Sequence, residues 1–338
     1  MHKPIVIKQN VGADISFLDN RLKVTADVFR EQRKDILINR STIPAITGLT
    51  SSILPVVNMG KVDNKGYEIE VKWTQNLPKL NYWITGNLSY AKNKIIFQDE
   101  VEPNEPYMWR TGRPVGEPFG YISDGFYNTV DFNADGTLIS GLPDPKQPVF
   151  PGDQKYKDLN HDGFITPDDI THIGNPDRPA YVAGLNYGIS SNGFTLTMNW
   201  SGAAQRSLLI GDYVSKPFGG ENRGLFQFHA DERWTPETAA TATMPRVSAV
   251  SMVYNYRTSS LFIRDGSYIR LKNVSLGYSF SNKHILKQLG ISKLGIQLTG
   301  YNLLTFDKFK LMDPESSPNS ADTYPIIKIY NLGVNITF

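Results

Sequence analysis

The last fourteen residues of the chain, 325–338, alternate between apolar and polar side chains and end on an aromatic residue. In an extended strand, successive side chains point to opposite faces. One face of this segment therefore carries a set of large apolar side chains: Tyr330, Leu332, Val334, Ile336 and Phe338. Soluble domains usually end in a few polar, poorly ordered residues. The segment instead predicts a final strand with one apolar face and one mostly polar face.

The same alternation recurs along the chain and predicts nine strands, eight of them in hairpin pairs. The clearest case lies at 67–73, where aromatic and aliphatic residues alternate with Glu68, Glu70 and Lys72. The other paired strands are predicted near 11–17, 22–28, 82–90, 181–189, 194–200, 268–280 and 294–305. Within each pair the connection is short and rich in Asn, Asp, Gly, Ser or Pro, as hairpin turns require.

The connections between the pairs are long, spanning about 38–65, 98–179, 210–260 and 306–324. Outer-membrane barrels show this asymmetry, with short periplasmic turns and long extracellular loops. Loops of this length are uncommon in compact soluble domains. The polar strand face carries Asp27, Glu68, Glu70 and Lys72, which suits a water-filled lumen better than a dry core. We therefore predict an all-β fold, an antiparallel transmembrane β-barrel with long extracellular loops; a soluble β-sandwich with decorated loops is the alternative.

Composition excludes several other classes of protein. No stretch approaches the ~18 consecutive apolar residues that a membrane-spanning helix needs. The net charge is only +2, which gives no electrostatic basis for binding nucleic acid. The chain has no cysteine, so disulfides and thiolate metal sites are excluded. No nucleophile, base and orienting group occur in a recognisable arrangement, so an enzyme is not expected; a β-rich carbohydrate hydrolase is the alternative within that class.

One local motif, at 158–169 within the long loop 98–179, matches the calcium-loop template. Oxygen-bearing side chains occupy its first, third and fifth positions, glycine the sixth, and a carboxylate the twelfth. The predicted ligands are Asp158, Asn160, Asp162, the carbonyl of Phe164, and Asp169. Asp replaces the usual Glu at position twelve, as in dockerin-type loops, and no flanking helices are predicted. A turn cluster without metal is the alternative. A calcium-binding dockerin-like module, or a carbohydrate-binding extracellular β module, is the alternative function.

Several blocks then resemble one family. Residues 267–280 are similar to a penultimate-hairpin signature of the SusC/RagA-type TonB-linked outer-membrane proteins, and a Leu-Gly-Ile element follows at 289–291. Further similar blocks lie at 64–66, 116–121, 152–176, 233–237, 300–305 and 313–315. They occur in the family's order and cover nearly the whole chain. The resemblance rests on the ordered set of blocks, because any one block alone would be weak evidence for it.

The resemblance implies TonB-driven import of oligosaccharides or oligopeptides across the outer membrane of a Gram-negative bacterium. It also implies a SusD-like surface lipoprotein as partner, contact with outer-membrane lipid, and a TonB complex engaged through an N-terminal part. The apolar set at 330–338 would then serve as a barrel-assembly signal. Four loop residues are candidates for ligand contact, because aromatic faces stack on sugars and Arg binds acidic groups: Tyr107, Trp109, Arg110 and Trp234. Packing within the loops is the alternative role for each.

The resemblance covers only the last strands, roughly fourteen to twenty-two, of the family's 22-stranded barrel. We therefore expect residues 1–338 to be the C-terminal part of such a barrel, without plug domain or signal peptide. Nine is an odd number, so the first and last strands would meet in parallel, outside the family's antiparallel pattern. An open edge in lipid leaves backbone groups unsatisfied. We expect the chain alone to form no stable pore and to import nothing, which conductance measurements in vesicles would check.

Overall fold

The structure is a computed structural model that describes residues 3–43, 46, 54–218, 224–248, 252–281, 288, 290–315, 324 and 326–338. These residues form one nine-stranded antiparallel sheet and three short two-stranded sheets. The large sheet consists, in spatial order, of β1 (Ile5–Phe17), β2 (Leu22–Ile38), β3 (Val57–Asn76), β4 (Leu80–Phe97), β9 (Tyr181–Ser191), β10 (Phe194–Ala204), β13 (Tyr268–Ser281), β14 (Lys293–Asp307) and β15 (Ile329–Thr337). All nine predicted strands are therefore confirmed, each beside its neighbours along the chain.

The register of the sheet keeps apolar and polar residues on opposite faces. Val28 lies opposite Tyr67, and Tyr67 lies opposite Tyr90, so the apolar positions of three strands share one face. Asp27 lies opposite Glu68 on the other face. We call these the outer face and the inner face. Because a one-residue slip would exchange the two faces, the alternation in the sequence fixes this register.

The predicted boundary of one loop is wrong. The link expected at 38–65 is shorter, because β3 already begins at Val57, from where it pairs with β2, and it pairs with β4 from Lys61 onward. This part of β3 carries Asn58, Lys61 and Asp63, so it lacks the sustained apolar alternation that marks residues 67–73. The strands extend beyond the apolar band, and there neither face needs to be apolar. The predicted turn at 282–292 lies largely outside the described residues.

Small elements occupy the other long loops. The short strands pair as β5 (Phe119–Gly120) with β8 (Thr171–His172), β6 (Ser123–Phe126) with β7 (Gln154–Tyr156), and β11 (Ser207–Leu209) with β12 (Ile263–Asp265). The helices are α1 (Asp212–Ser215) and α2 (Gln227–Glu232), and 3₁₀ turns lie at Pro106–Met108, Thr129–Asp131, Pro167–Asp169, Tyr254–Tyr256 and Ser260–Phe262. Within the ranges that the structure describes, no helix has the length and apolar character needed to span a membrane.

Candidate functional site

The outer face of the sheet is apolar and exposed. Val28 is 63 % exposed and Val71 41 %, although both are apolar strand residues. An aromatic row crosses three strands near the long-loop end, with ring centroids 5.4 Å apart between Tyr67 and Tyr90 and 4.6 Å apart between Tyr90 and Tyr181. A second row lies near the short-turn end, where Phe194 and Tyr278 are 4.3 Å apart. An apolar band between two aromatic rows is the lipid-facing surface of a transmembrane barrel wall.

The inner face of the sheet is polar and bonded within itself. The Thr25 hydroxyl donates to an Asp14 carboxylate oxygen at 2.6 Å, and the Ser89 hydroxyl donates to Glu68 at 3.2 Å. Lys23 lies directly opposite Lys72 further along the same face. Such a face fits water and polar solutes, so it lines the lumen side of the wall.

The long loops fold together at one end of the sheet. We call the described residues of segments 98–180, 205–267 and 308–315 the loop assembly. The first apolar cluster of the assembly consists of Tyr121, Tyr127, Val149, Tyr156, Ile165 and Tyr254. The second consists of Leu208, Ile210, Val214, Met244, Phe262 and Phe309. Each cluster contains residues from two of the three segments, so the loops form one packed body.

Asp153 ties the first segment of the loop assembly to the second. Its side chain is buried, and one carboxylate oxygen accepts hydrogen bonds from Arg246 Nε at 2.6 Å and Asn255 Nδ2 at 2.9 Å. The other oxygen accepts from the backbone N–H of Phe150 at 2.8 Å. A buried carboxylate is costly unless its oxygens are bonded, and here both are. Separating the two segments would leave the Asp153 carboxylate without its bonds to Arg246 and Asn255.

Arg270 ties the third segment of the loop assembly to the inner face. The residue is only 1 % exposed, and it lies opposite Thr305 within the sheet. Its guanidinium donates to Asp313 at 2.6 Å, to Glu315 at 2.8 Å and to the Thr305 hydroxyl at 3.0 Å. Glu315 also accepts from Lys272 at 2.6 Å. Neither Arg270 nor Asp153 is among the functional residues predicted from the sequence, although Arg270 and Glu315 both lie in blocks that carry the family resemblance.

The predicted calcium loop is wound by its own hydrogen bonds. Asp158 accepts from the backbone N–H groups of His161 at 2.7 Å and Gly163 at 2.8 Å. Asp169 is fully buried and accepts from the backbone N–H groups of Leu159 at 2.7 Å and Thr166 at 2.8 Å. Position twelve is thereby drawn back against the start of the loop. Across the described part of the chain, no three His, Cys, Asp or Glu side chains form a group that could hold a metal ion as they stand.

The other members of the predicted ligand set lie on the exposed side of the loop. Asn160 Nδ2 donates to Asp162 at 3.0 Å, and Asp162 accepts from the backbone N–H of Phe164 at 2.8 Å. Side-chain and carbonyl oxygens are the donors that calcium prefers. The donor set therefore fits calcium in chemistry and order, while Asp158, Asp162 and Asp169 would have to converge to bind it.

The candidate ligand-contact residues fall into two places. Tyr107, Trp109 and Arg110 share one turn, where the Tyr107 hydroxyl donates to the Asp168 carbonyl at 2.7 Å and so touches the predicted calcium loop. Burial raises the pKa of Tyr107 to about 12. Arg110 is exposed, with its guanidinium 4.2 Å from the centre of the Phe119 ring. These side chains hold the turn against the rest of the first segment.

Trp234 lies apart from that turn and is 6 % exposed. Its ring packs on Gly152, where an added Cβ would come within 2.5 Å of the ring, and its N–H donates to Asn128 at 3.3 Å. Packing inside the loop assembly accounts for Trp234 in this structure, since little of its ring surface is left for a ligand.

A groove of about 800 Å³ lies between the inner face and the first loop segment. The strands contribute Ile36, Ile38, Val62, Asn93 and Ile95, and the loops contribute Pro114, Val115, Pro176 and Arg178. The Asn93 side chain accepts a hydrogen bond from the Val115 N–H at 2.7 Å, which fixes the loop wall of the groove. The lining also includes charged residues of both signs, among them Glu31, Glu117 and Asp177 beside Arg33, so the groove combines aliphatic and charged groups.

A sheet with one apolar and one polar face, joined to the loop assembly, defines the class of protein. The chain forms part of the wall of a transmembrane β-barrel together with its long loops. Residues 6–303 match the family described as TonB dependent receptor-like, beta-barrel. The chain belongs to that family.

The similarity extends to curated proteins and solved structures. The chain is 27 % identical to TonB-dependent receptor P3 of Formosa agariphila and 22 % identical to TonB-dependent receptor SusC of Bacteroides thetaiotaomicron, covering 97 % of this chain in both cases. It spans about a third of the length of these relatives, 34 % and 31 %. The structure of the RagAB peptide transporter superposes with a TM-score of 0.71 at 21 % identity, over 99 % of this chain and 35 % of that one. The last similarity concerns the fold alone.

Proposed function

We propose that the chain forms part of the barrel wall of an outer-membrane importer that takes up nutrients under TonB control. The observation that carries the proposal is the exposed apolar outer face backed by a polar inner face, in a chain of the TonB-dependent receptor family. Lipid on one side and an aqueous path on the other explain both faces. The role proposed is transport and not catalysis, in the outer membrane of a Gram-negative bacterium.

The substrate proposed is an oligosaccharide or an oligopeptide that contacts the loop assembly and the groove beside it. The groove offers aliphatic side chains together with charged groups of both signs, which suits a peptide with apolar and charged residues. Peptide is also what the RagAB transporter, whose fold is similar, carries. Exposed Arg110, and the half-buried ring of Trp109, remain candidates for contact with either substrate.

The partners proposed are a SusD-like surface lipoprotein on the loop assembly and a TonB complex acting through other parts of the protein. The relatives are named TonB-dependent receptors and are about three times longer than this chain, which leaves room for a TonB-contacting part. The packed loop assembly would offer the lipoprotein a rigid surface.

Deletion of the coding sequence in the source bacterium tests the import role. We expect growth to be lost on one class of polymer, glycan or protein digest, while growth on free monosaccharide and amino acids is unchanged. Uptake should also stop when the proton-motive force is collapsed, because TonB-driven transport requires it. Unimpaired uptake of every oligosaccharide and oligopeptide by the deletion strain would contradict the role.

We also propose that calcium binds the loop at 158–169. The donors would be Asp158, Asn160, Asp162, Asp169 and the carbonyl of Phe164, all oxygen atoms. The loop is already wound by backbone hydrogen bonds to Asp158 and Asp169, which supports the proposal because less ordering would be needed on binding. The cation would offset the repulsion between carboxylates drawn together.

Isothermal calorimetry with calcium on the full-length protein tests this proposal. One site is expected, and it should disappear in the Asp158→Ala, Asp162→Ala double variant. Asp124→Ala, Asp135→Ala serves as control, because it removes two exposed carboxylates of the same segment outside the motif. Absence of heat from the parent at millimolar calcium would show that the motif is a turn without metal.

A further inference from the structure

A row of three cations crosses the outer face of the sheet. Arg30 lies directly opposite Lys65, and Lys65 lies directly opposite Lys92. The register is regular from this row to the far end of β3, so all three side chains share the face of Val28, Tyr67 and Tyr90. We call Arg30, Lys65 and Lys92 the cation row.

The cation row lies immediately beyond the aromatic row at the long-loop end of the sheet. Tyr67 and Tyr90 are each two residues nearer the apolar band than Lys65 and Lys92. Two strand residues span about 7 Å. Aromatic girdles mark the boundary of the hydrocarbon, and the headgroup layer beyond it is roughly 5–8 Å thick on each side. The cation row is therefore level with the lipid headgroups.

The protein balances only part of the charge of the row. Asp63, two residues from Lys65 on the same face of β3, pairs with Arg30, with the shortest nitrogen–oxygen distance 2.8 Å. Lys65 and Lys92 are exposed, and among the described residues neither forms an ion pair or a side-chain hydrogen bond, so the row keeps a net positive charge beside this one carboxylate. Like charges directly opposite each other destabilise a sheet. An external anion at this level would relieve the repulsion between the two lysines.

We propose that the cation row binds phosphate groups of lipid headgroups in the outer leaflet. The inference rests on the proposed outer-membrane location, and it goes beyond import because the row lies on the lipid side and not along the lumen. Basic clusters at a membrane surface attract anionic headgroups. Lys65 and Lys92 present six ammonium donors side by side, and Arg30 adds the free edge of its guanidinium. The row would fix the height of the wall in the membrane and hold a layer of phosphorylated glycolipid around it.

Native mass spectrometry of the detergent-solubilised full-length protein tests this proposal. The probes are bisphosphorylated lipid A and the same lipid A without its phosphates. The parent should bind the phosphorylated lipid, and the Lys65→Gln, Lys92→Gln variant should bind it about thirty-fold more weakly. The dephosphorylated lipid should bind both proteins equally and weakly. Lys23→Gln, Lys72→Gln is the matched control, because it removes an opposed lysine pair from the inner face, and it should bind like the parent.

Three outcomes would overturn the proposal. These are equal binding of both lipids by the parent, parent-like binding by the outer-face variant, and full displacement by inorganic phosphate at millimolar concentration, which would indicate a site for the free ion. The single variants Lys65→Gln and Lys92→Gln provide the same comparison should the double variant fail to fold. Binding is measured without transport, so failure of the parent to bind phosphorylated lipid A, together with normal uptake, would count against this inference alone.

Discussion

Replacing Arg270 with methionine is expected to destabilise the folded protein by about 3–5 kcal/mol, the cost of breaking a buried ion pair from one side. The guanidinium is almost completely buried and contacts both Asp313 and Glu315. Methionine fills similar volume but donates no hydrogen bond, so two largely buried carboxylates lose this partner; the Asp313 side chain is 12 % exposed and the Glu315 side chain 21 %. Denaturant unfolding of the full-length protein in lipid vesicles measures the loss. Protease cleavage near 308–315 should become faster at the same time.

Lys272→Met is the matched control for this prediction. Lys272 also contacts Glu315, but its side chain is 33 % exposed against 2 % for Arg270. Exposed ion pairs contribute about 0–1 kcal/mol, so this variant should be close to the parent. If both variants lose the same stability, the burial of Arg270 is not what makes it important.

Val71→Arg should destabilise the barrel wall by about 2–4 kcal/mol, as charges do on the lipid face near the bilayer centre. Val71 is an exposed outer-face residue that lies between the aromatic positions Tyr67 and Trp73 of the same strand. A guanidinium there must leave water for hydrocarbon. Folding titrations in lipid vesicles give the free energy directly.

Glu70→Arg, one residue away, should cost far less, because residue 70 lies on the inner face opposite Thr25. The substitution exchanges one charged side chain for another in an aqueous environment. Equal destabilisation by the two variants would mean that the assignment of outer and inner faces is wrong.

The nine strands could be predicted from the sequence because their signal is local. A side-chain period of two, with short turns within pairs, identifies strands without knowledge of their partners. The alternation of apolar and polar residues is lost where the strand leaves the lipid. Residues 57–65 belong to β3 but lie beyond the apolar band, so the alternation does not mark them as strand. Lipid, and not strand formation itself, produces the pattern.

The loop assembly could not be predicted in the same way. Its ties join residues far apart in sequence, as Asp153 with Asn255 and Arg270 with Glu315 do. Nothing local distinguishes Arg270 from other arginines in polar strands, and only its position within a family-like block singled out the segment. Trp234 shows the converse, since an aromatic residue in a loop suggests ligand contact but is buried here against Gly152.

The sequence identified the oxygen-bearing residues at 158–169 by their spacing, and the structure adds how their loop is wound. Whether calcium draws Asp158, Asp162 and Asp169 together stays a prediction. So does the expectation that the chain alone forms no pore.

The sheet separates lipid on its outer face from water on its inner face, and site-directed spin labelling of β3 tests this separation most directly. The chain contains no cysteine. Single cysteines at 67–73 can therefore be labelled selectively in the full-length protein in lipid vesicles, once any cysteine outside these 338 residues has been replaced. Collisions with oxygen, which partitions into lipid, and with a water-soluble nickel chelate are compared at each position. Positions 67, 69, 71 and 73 should favour oxygen, and positions 68, 70 and 72 should favour nickel. Access of nickel to all seven positions alike would contradict the account.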